Sequence, residues 1–293
     1  MPTPLPLLAL LVAVHADGDS LRARLEARIA AVPDARVAVA YRELTTPGDT
    51  LYLLADTAFH AASTMKVPVM IEAFRQADAG RLSLDHPELL RNRFASIVDG
   101  SPYALDAGDD SDSALYARVG QPVPLRELVE RMITHSSNLA TNVVIERVGA
   151  PRVQRTVEEL GATGMIVRRG VEDQKAYEQG LNNATSARAL ATLLTAIETG
   201  RAASAASSAA MKEILLAQAF DEEIPAGLPP GTRVAHKTGW ITGILHDAAV
   251  VYPADGRAYV LVVLTGNIRD VQVARELIAG ISRDVYEHHI ARR

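Results

Sequence analysis

Three observations predict a two-lobed α/β protein, in which both chain ends build one antiparallel sheet flanked by helices and an all-helical lobe is inserted between them. Apolar residues run in strand-like stretches near the start (36–41, 50–54) and again in the last third (233–238, 246–252, 259–264). From about residue 60 to 217 they recur instead at helical spacing. Helical patterns at each end of the chain are available to cover the sheet.

Leu21, Leu25, Ile29 and Val32, with Arg and Glu between them, form an amphipathic pattern that Pro33-Asp34 stops. Residues 36–41 alternate as a strand, Thr46-Pro47-Gly48-Asp49 is turn chemistry, and 50–54 is the second arm of a hairpin. Ser63 then opens an apolar run through Val67, Val69, Met70, Ile71, Ala73 and Phe74, which predicts a buried helix ending near Gly80. Residues 82–85 leave it as a loop. Periodicity fails from 92 to 123, where Asp106-Ala107-Gly108-Asp109-Asp110-Ser111-Asp112 reads as a solvated surface loop. Alternating Asp could supply calcium ligands, but the spacing and closing Glu of an EF-hand are absent.

A short helix over 125–133 leads into Thr134-His135-Ser136-Ser137-Asn138. Helical spacing resumes at Leu139, continues through Val143, Val144 and Val148, and stops at Gly149-Ala150-Pro151. Pro151 starts the next helix, with Gly161 past its end. Residues 171–183 have no period and read as a long loop. Thr185 is positioned to cap a helix over 187–198, and another spans 205–217. Pro253-Ala254-Asp255-Gly256 joins the last two strands, and 271–289 closes the chain as a helix. The expected division is a leader at 1–16, an α/β lobe over about 17–59 and 218–293, and a helical lobe over about 60–217. A cleft between such lobes is where a site belongs.

With 293 residues, 48% of them hydrophobic, the chain can bury a sizeable core. Its net charge of −5 leaves no basic excess to neutralise phosphates, which argues against nucleic-acid binding. Without cysteine, neither disulfides nor thiolate metal sites exist. His236 and His246 read as satisfied strand residues, because no third ligand stands at zinc-site spacing. An apolar run over 5–14 followed by the small-x-small Val14-His15-Ala16 predicts an export leader, although no Lys or Arg precedes it. Such a run is too short to span a bilayer, so stable membrane insertion is not expected.

Ser63 and Lys66 lie three apart on one helical face, where a desolvated amine can take the hydroxyl proton and a helix start can face an oxyanion. Lys occurs only at 66, 175, 212 and 237, so surface charge is left to Arg and a retained amine has reason to be special. Two further signals follow: Ser136-Ser137-Asn138 on a turn, and Lys237-Thr238-Gly239 on a strand. Each alone is weak, and Ser136 and Asn138 could merely cap a helix. The three in this order, on helix, loop and strand, are far more specific.

On these residues the chain resembles the penicillin-recognising serine hydrolases, most closely the class A serine β-lactamase family, over nearly all of the sequence after the leader. The run Ser136 to Asn142 followed by Gly149-Ala150-Pro151 is similar to the family's second motif and its helix, and Asn183-Ala184-Thr185-Ser186-Ala187 to the helix start after the omega loop. The resemblance implies a β-lactamase/transpeptidase-like fold and a cofactor-free, metal-free monomer, periplasmic or extracellular. Its substrate would be a small-molecule β-lactam or a peptidoglycan-type peptide. By the same resemblance Ser63 is the nucleophile, Lys66 eases its deprotonation, and Ser136 relays a proton to the leaving nitrogen. Asn138 would hold the substrate's side-chain amide, Lys237, Thr238 and Gly239 would form the carboxylate-binding strand, and the backbone N–H groups of Ser63 and Trp240 would hold the oxyanion. The Trp240 ring is read either as a wall of the cleft or as core.

The chain departs from the family at Ser137, where Asp is usual, and in the omega loop, whose Glu-x-Glu-Leu-Asn pattern is missing. Glu172 falls about where the water-activating Glu belongs, with Asp173 and Glu178 as alternatives. If none reaches the ester, the chain would acylate and stall, as a penicillin-binding D-Ala-D-Ala peptidase or slow esterase does. A catalytically silent wall-binding module is the third reading.

Overall fold

The computed structural model describes residues 16–45 and 48–292. Most of the expected leader and the Thr46-Pro47 half of the first turn lie outside these residues. Five strands, β1 (Arg36–Glu43), β2 (Thr50–Leu53), β3 (Arg233–Ile241), β4 (Ile244–Tyr252) and β5 (Tyr259–Gly266), form one sheet in the order β2-β1-β5-β4-β3. Every neighbouring pair is antiparallel. This is the mixed α/β architecture expected from the sequence, with β1 from the start of the chain paired to β5 from its end.

Period two decides what each face of the sheet buries. Val37, Val39, Tyr41, Leu261 and Val263 face α1 (Ala16–Ala30) and the long C-terminal helix, packing on Leu21, Leu25, Leu277, Ile278 and Ile281. Ala38, Ala40, Ala235, Ala248, Val260 and Val262 face the helical side and join the larger cluster. Small alanines on that face let helices approach the sheet closely, and each fully buried Leu or Ile contributes about 1.5–3 kcal/mol.

The helices of the middle are α2 (Lys66–Asp78), α3 (Leu125–Thr134), α4 (Asn138–Val148), α5 (Ala150–Glu159), α6 (Gln174–Glu178), α7 (Ala187–Glu198) and α8 (Ala205–Leu216); α9 (Val271–Ala291) closes the chain. Four details differ from the sequence reading. Leu54 leaves the strand, at φ 46°. Ser63 sits in a 3₁₀ turn, Ala62–Met65, and the α-helix proper begins at Lys66. Ser186, not Thr185, caps α7, its side chain accepting from the Ala189 amide. The supposedly formless 171–183 contains α6, capped by Asp173.

The acidic run is corrected most. Asp106, Asp109 and Ser111 are exposed as expected of a solvated loop, but Asp110 and Asp112 are only 5% and 6% exposed. Asp112 takes both of its oxygens to Arg131, while Asp110 turns inward to the start of α4. Carboxylates that find backbone amides or guanidinium partners can be buried, and residue type alone does not reveal which ones do. Among the described residues no helix is long and apolar enough to cross a membrane.

Candidate active site

Lys66, the first residue of α2, and Lys237, mid-strand in β3, are both fully buried. Their ammonium nitrogens converge on one hydroxyl: Ser136 Oγ lies 3.2 Å from Lys66 Nζ and 3.0 Å from Lys237 Nζ. Lys66 also donates to the Ser136 carbonyl (2.6 Å) and to Asn138 Oδ1 (2.9 Å), and Lys237 to the Thr238 carbonyl (2.9 Å). Burial pushes the Lys66 pKa well below its ordinary value, and the neighbouring Lys237 charge lowers it further. Asp110 and Glu172 pull the other way. Burial likewise brings Lys237 down to about 7, with Asp247 and Glu223 behind it opposing the drop.

Ser136 holds its position at φ 56°, a left-handed conformation that a serine adopts only when its surroundings fix it. The N-terminus of α4 shows how. A helix start leaves four N–H groups without helical partners. Here the Ser137 hydroxyl accepts from Ala140 N and the Ser137 carbonyl from Thr141 N, while Asp110 accepts from Asn138 N and Leu139 N. Capping thus falls to Ser137 and Asp110, and the side chains of Ser136 and Asn138 are left to face the cleft.

The third motif meets the first at Gly239. A Cβ there would stand 3.2 Å from Ser63 N and 3.1 Å from Thr64 Cγ2, so glycine is what lets β3 lie against the 3₁₀ turn. β3 is an edge of the sheet, and an edge strand directs alternate N–H groups outward. His246 supports the same junction: its Nε2–H donates to the His60 carbonyl and its Nδ1 accepts from Thr265 N. Burial keeps the ring neutral, at about 4. His236 donates from Nδ1 to Asp247. Both histidines are satisfied strand residues, as the sequence suggests.

Ser63 lines two adjoining pockets. One, of about 440 Å³, carries Ser136, Thr238, Gly239, Phe220, Glu223 and Arg275; the other, of about 420 Å³, carries His60, Asn138, Arg169, Glu172 and Tyr177. Trp240 stands between them and is 63% exposed, a cleft wall and not core.

Of the three omega-loop carboxylates, only Glu172 turns toward the cluster, with Oε1 accepting from Asn138 Nδ2 at 2.6 Å. Its backbone is left-handed (φ 60°), and partial burial raises its pKa. Asn138 opposes that rise, while Asp110 and Asp109 add to it. Asp173 is buried and bonded to Ser96 Oγ, Ile97 N and Ala176 N. Glu178 pairs with Gln174 on α6.

Several residues of this region have partners that the sequence did not reveal. Asn142 accepts from Val171 N and donates to Val171 O, pinning the residue before Glu172. Asn183 holds Arg168 N, Arg169 N and Arg169 O at the loop's neck. Arg169 is buried and donates to the carbonyl oxygens of Leu181 and Gly170 and to Asn182 Oδ1. Only a motif spanning both sides of the loop would have linked such distant amides.

Residues 20–289 match the sequence profile described as the beta-lactamase enzyme family. A beta-lactamase of Bacillus amyloliquefaciens is 27% identical over 254 residues, covering 84% of this chain and 77% of its own. Among solved structures, PBP-A superposes with a TM-score of 0.79 at 28% identity, over 93% of this chain and 96% of its own. A leucine-to-glutamate mutant of PBP-A, solved as an acyl-enzyme complex with penicillin G, gives a TM-score of 0.79 at 27% identity, over 93% and 97%.

Proposed function

The chain belongs to the beta-lactamase enzyme family and is a hydrolase of that family, and we propose that it opens β-lactam rings through an ester on Ser63, as class A enzymes do. One observation carries the reading: the Ser136 hydroxyl lies between two buried amines, beside the turn that bears Ser63. A neutral Lys66 has two N–H groups for the Ser136 and Asn138 oxygens, which leaves its lone pair for a hydroxyl proton.

Ser63 Oγ attacks the lactam carbonyl and its proton passes to Lys66. The negative oxygen that develops is held by the N–H groups of Ser63 and Trp240, which the close approach at Gly239 supports. As the C–N bond breaks, Ser136 gives its proton to the nitrogen and takes one back from Lys66. Charged Lys237 with Thr238 receives the substrate carboxylate, and Asn138 its side-chain amide. Glu172, ionised and more basic than an ordinary carboxylate, then takes a proton from the water that attacks the ester. Ser63 Oγ departs with a proton returned through Lys66. Export to the periplasm or beyond belongs to the same proposal and rests on the apolar run at residues 5–14; a monomeric state rests on the family resemblance alone.

A second reading has its own support. The Glu172 oxygen is engaged by Asn138, and Lys66 donates to Ser136 and Asn138, so the water-activating half is less committed than the acylating half. Slow release would make the chain a penicillin-binding D-Ala-D-Ala peptidase or esterase acting on peptidoglycan-type peptides. Intact-mass spectra after mixing with benzylpenicillin separate these. The lactamase reading expects an adduct that forms and disappears in the wild type and never forms in Ser63→Ala. A lasting adduct favours the second reading, and no adduct at all overturns both.

A further inference from the structure

Asp110 lies in a stretch with no helical or strand period, yet its carboxylate makes four hydrogen bonds in the centre of the site. Oδ2 accepts from Asn138 N (3.0 Å), Leu139 N (2.9 Å) and the Tyr116 hydroxyl (3.0 Å), and Oδ1 accepts from Asp112 N (3.0 Å). Its charge also acts on both Lys66 and Glu172. The side chain clamped in this way belongs to Asn138, which accepts from Lys66 through Oδ1 and donates to Glu172 through Nδ2. Where the family's second motif usually carries an acid, this chain has Ser137, whose hydroxyl is occupied with Ala140 N.

We propose that Asp110 is the positioning residue of the second motif: its carboxylate clamps the Asn138 and Leu139 amides and so holds Asn138 between Lys66 and Glu172. The negative charge missing from the motif itself is supplied from a loop some thirty positions upstream, on a separate part of the chain. A charge there does two things that a neutral cap cannot. It complements the positive end of α4, and it opposes deprotonation of the amine and of the carboxyl on either side of Asn138.

The charged and titratable groups around the pair come from four elements. Lys66 faces Lys237 on β3, Glu172 from the omega loop and Asp110. Asp110 faces Tyr116 on the 3₁₀ turn Ser113–Arg118, with Asp112 paired to Arg131 of α3 beside it and Asp109 facing Glu172. Because Asp110 raises the pKa of both Lys66 and Glu172, its neutralisation lowers both.

The inference rests on acylation at Ser63 as proposed above. The test is the pH dependence of benzylpenicillin acylation, read by intact mass, in the wild type, Asp110→Asn and Tyr116→Phe. Asp110→Asn keeps an oxygen for the two amides and removes the charge. Its rising limb should move to lower pH by about 0.5–1 unit, a shift that a purely structural role would not produce. Tyr116→Phe removes a hydroxyl that shares the charge, so its limb should move the other way by a smaller amount; this arm still decides the matter if Asp110→Asn does not fold. Unmoved midpoints in both variants overturn this proposal alone. Absence of a wild-type adduct at every pH overturns the underlying reading, and this inference with it.

Discussion

The two halves of the cleft are held in different ways. Around Ser136, two buried lysines, a strained serine and a doubly capped helix start form a set in which each polar group has a partner. Around Glu172, one side chain reaches the cleft from a left-handed residue and rests on a single bond to Asn138. The omega loop behind it is tied by amides, Asn142, Asn183 and Asn182, and its buried Arg169 donates to carbonyl and amide oxygens. Fully satisfied buried networks are rigid, whereas a carboxylate with one tether can relocate. The half proposed to form the ester is therefore prebuilt, and the half proposed to release it is adjustable.

The largest expected effect is in the rigid half. Lys66→Ala should reduce penicillin acylation by roughly 10²–10⁴-fold, measured as the rate of adduct formation, because it removes both the proposed proton acceptor and the partner of Asn138. An effect under tenfold would show that the buried amine is not the base. Lys237→Met should raise KM for a carboxylate-bearing β-lactam by about 10–100-fold, the equivalent of one or two charge-assisted bonds. The same lysine sets a pH limb. With its pKa brought down to about 7, it loses the charge proposed to receive the substrate carboxylate as pH rises through 7, so kcat/KM should fall there in the wild type. A flat profile from pH 6 to 9 contradicts this assignment.

The adjustable half offers a sharper contrast. A Cβ at Gly170 would stand 2.2 Å from Asn142 Oδ1, so Gly170→Ala must displace the side chain that pins Val171. Ester release should slow while acylation stays within a few-fold, with a stability loss of about 1–3 kcal/mol by thermal unfolding. Equal losses in both steps would mean that the two halves are not separable.

The smallest effect lies at a cleft-lining carboxyl away from the acylating cluster. Glu223 is pushed up to about 7 by burial and by Asp247, above the 4.5 of an ordinary glutamate. Its contribution to stability is full below about pH 4.5 and is lost as pH rises through 7. Glu223→Gln should flatten that slope and unfold at a higher temperature than the wild type at pH 8. An unchanged pH slope would place the raised carboxyl elsewhere.

Much of this could be read from the chain beforehand. The strands at both ends and the helical middle follow from apolar period, and Ser63, Lys66, Ser136, Asn138 and Lys237 stand in short motifs whose order is informative. What escaped was partnership across sequence distance. Asp110 looked like surface because an acid reads as solvated until an amide pair is found for it. Asn142 and Asn183 stood at the ends of motif stretches, but their role in holding the omega loop stayed hidden because their partners are backbone groups, which leave no trace in residue identity. Thr185 was read as the cap where Ser186 serves, since either hydroxyl suits a helix start. Which of Glu172, Asp173 and Glu178 faces the lysines needed coordinates, because a loop without period gives no facing direction.

The central claim is a prebuilt acylating half beside a separately tuned releasing half. Quenched-flow intact-mass measurement of Glu172→Gln against the wild type, with benzylpenicillin, tests it most directly. The account predicts adduct formation at a rate within a few-fold of the wild type and release slowed by roughly 10²-fold or more. Release at the wild-type rate, or acylation lost together with release, would contradict it.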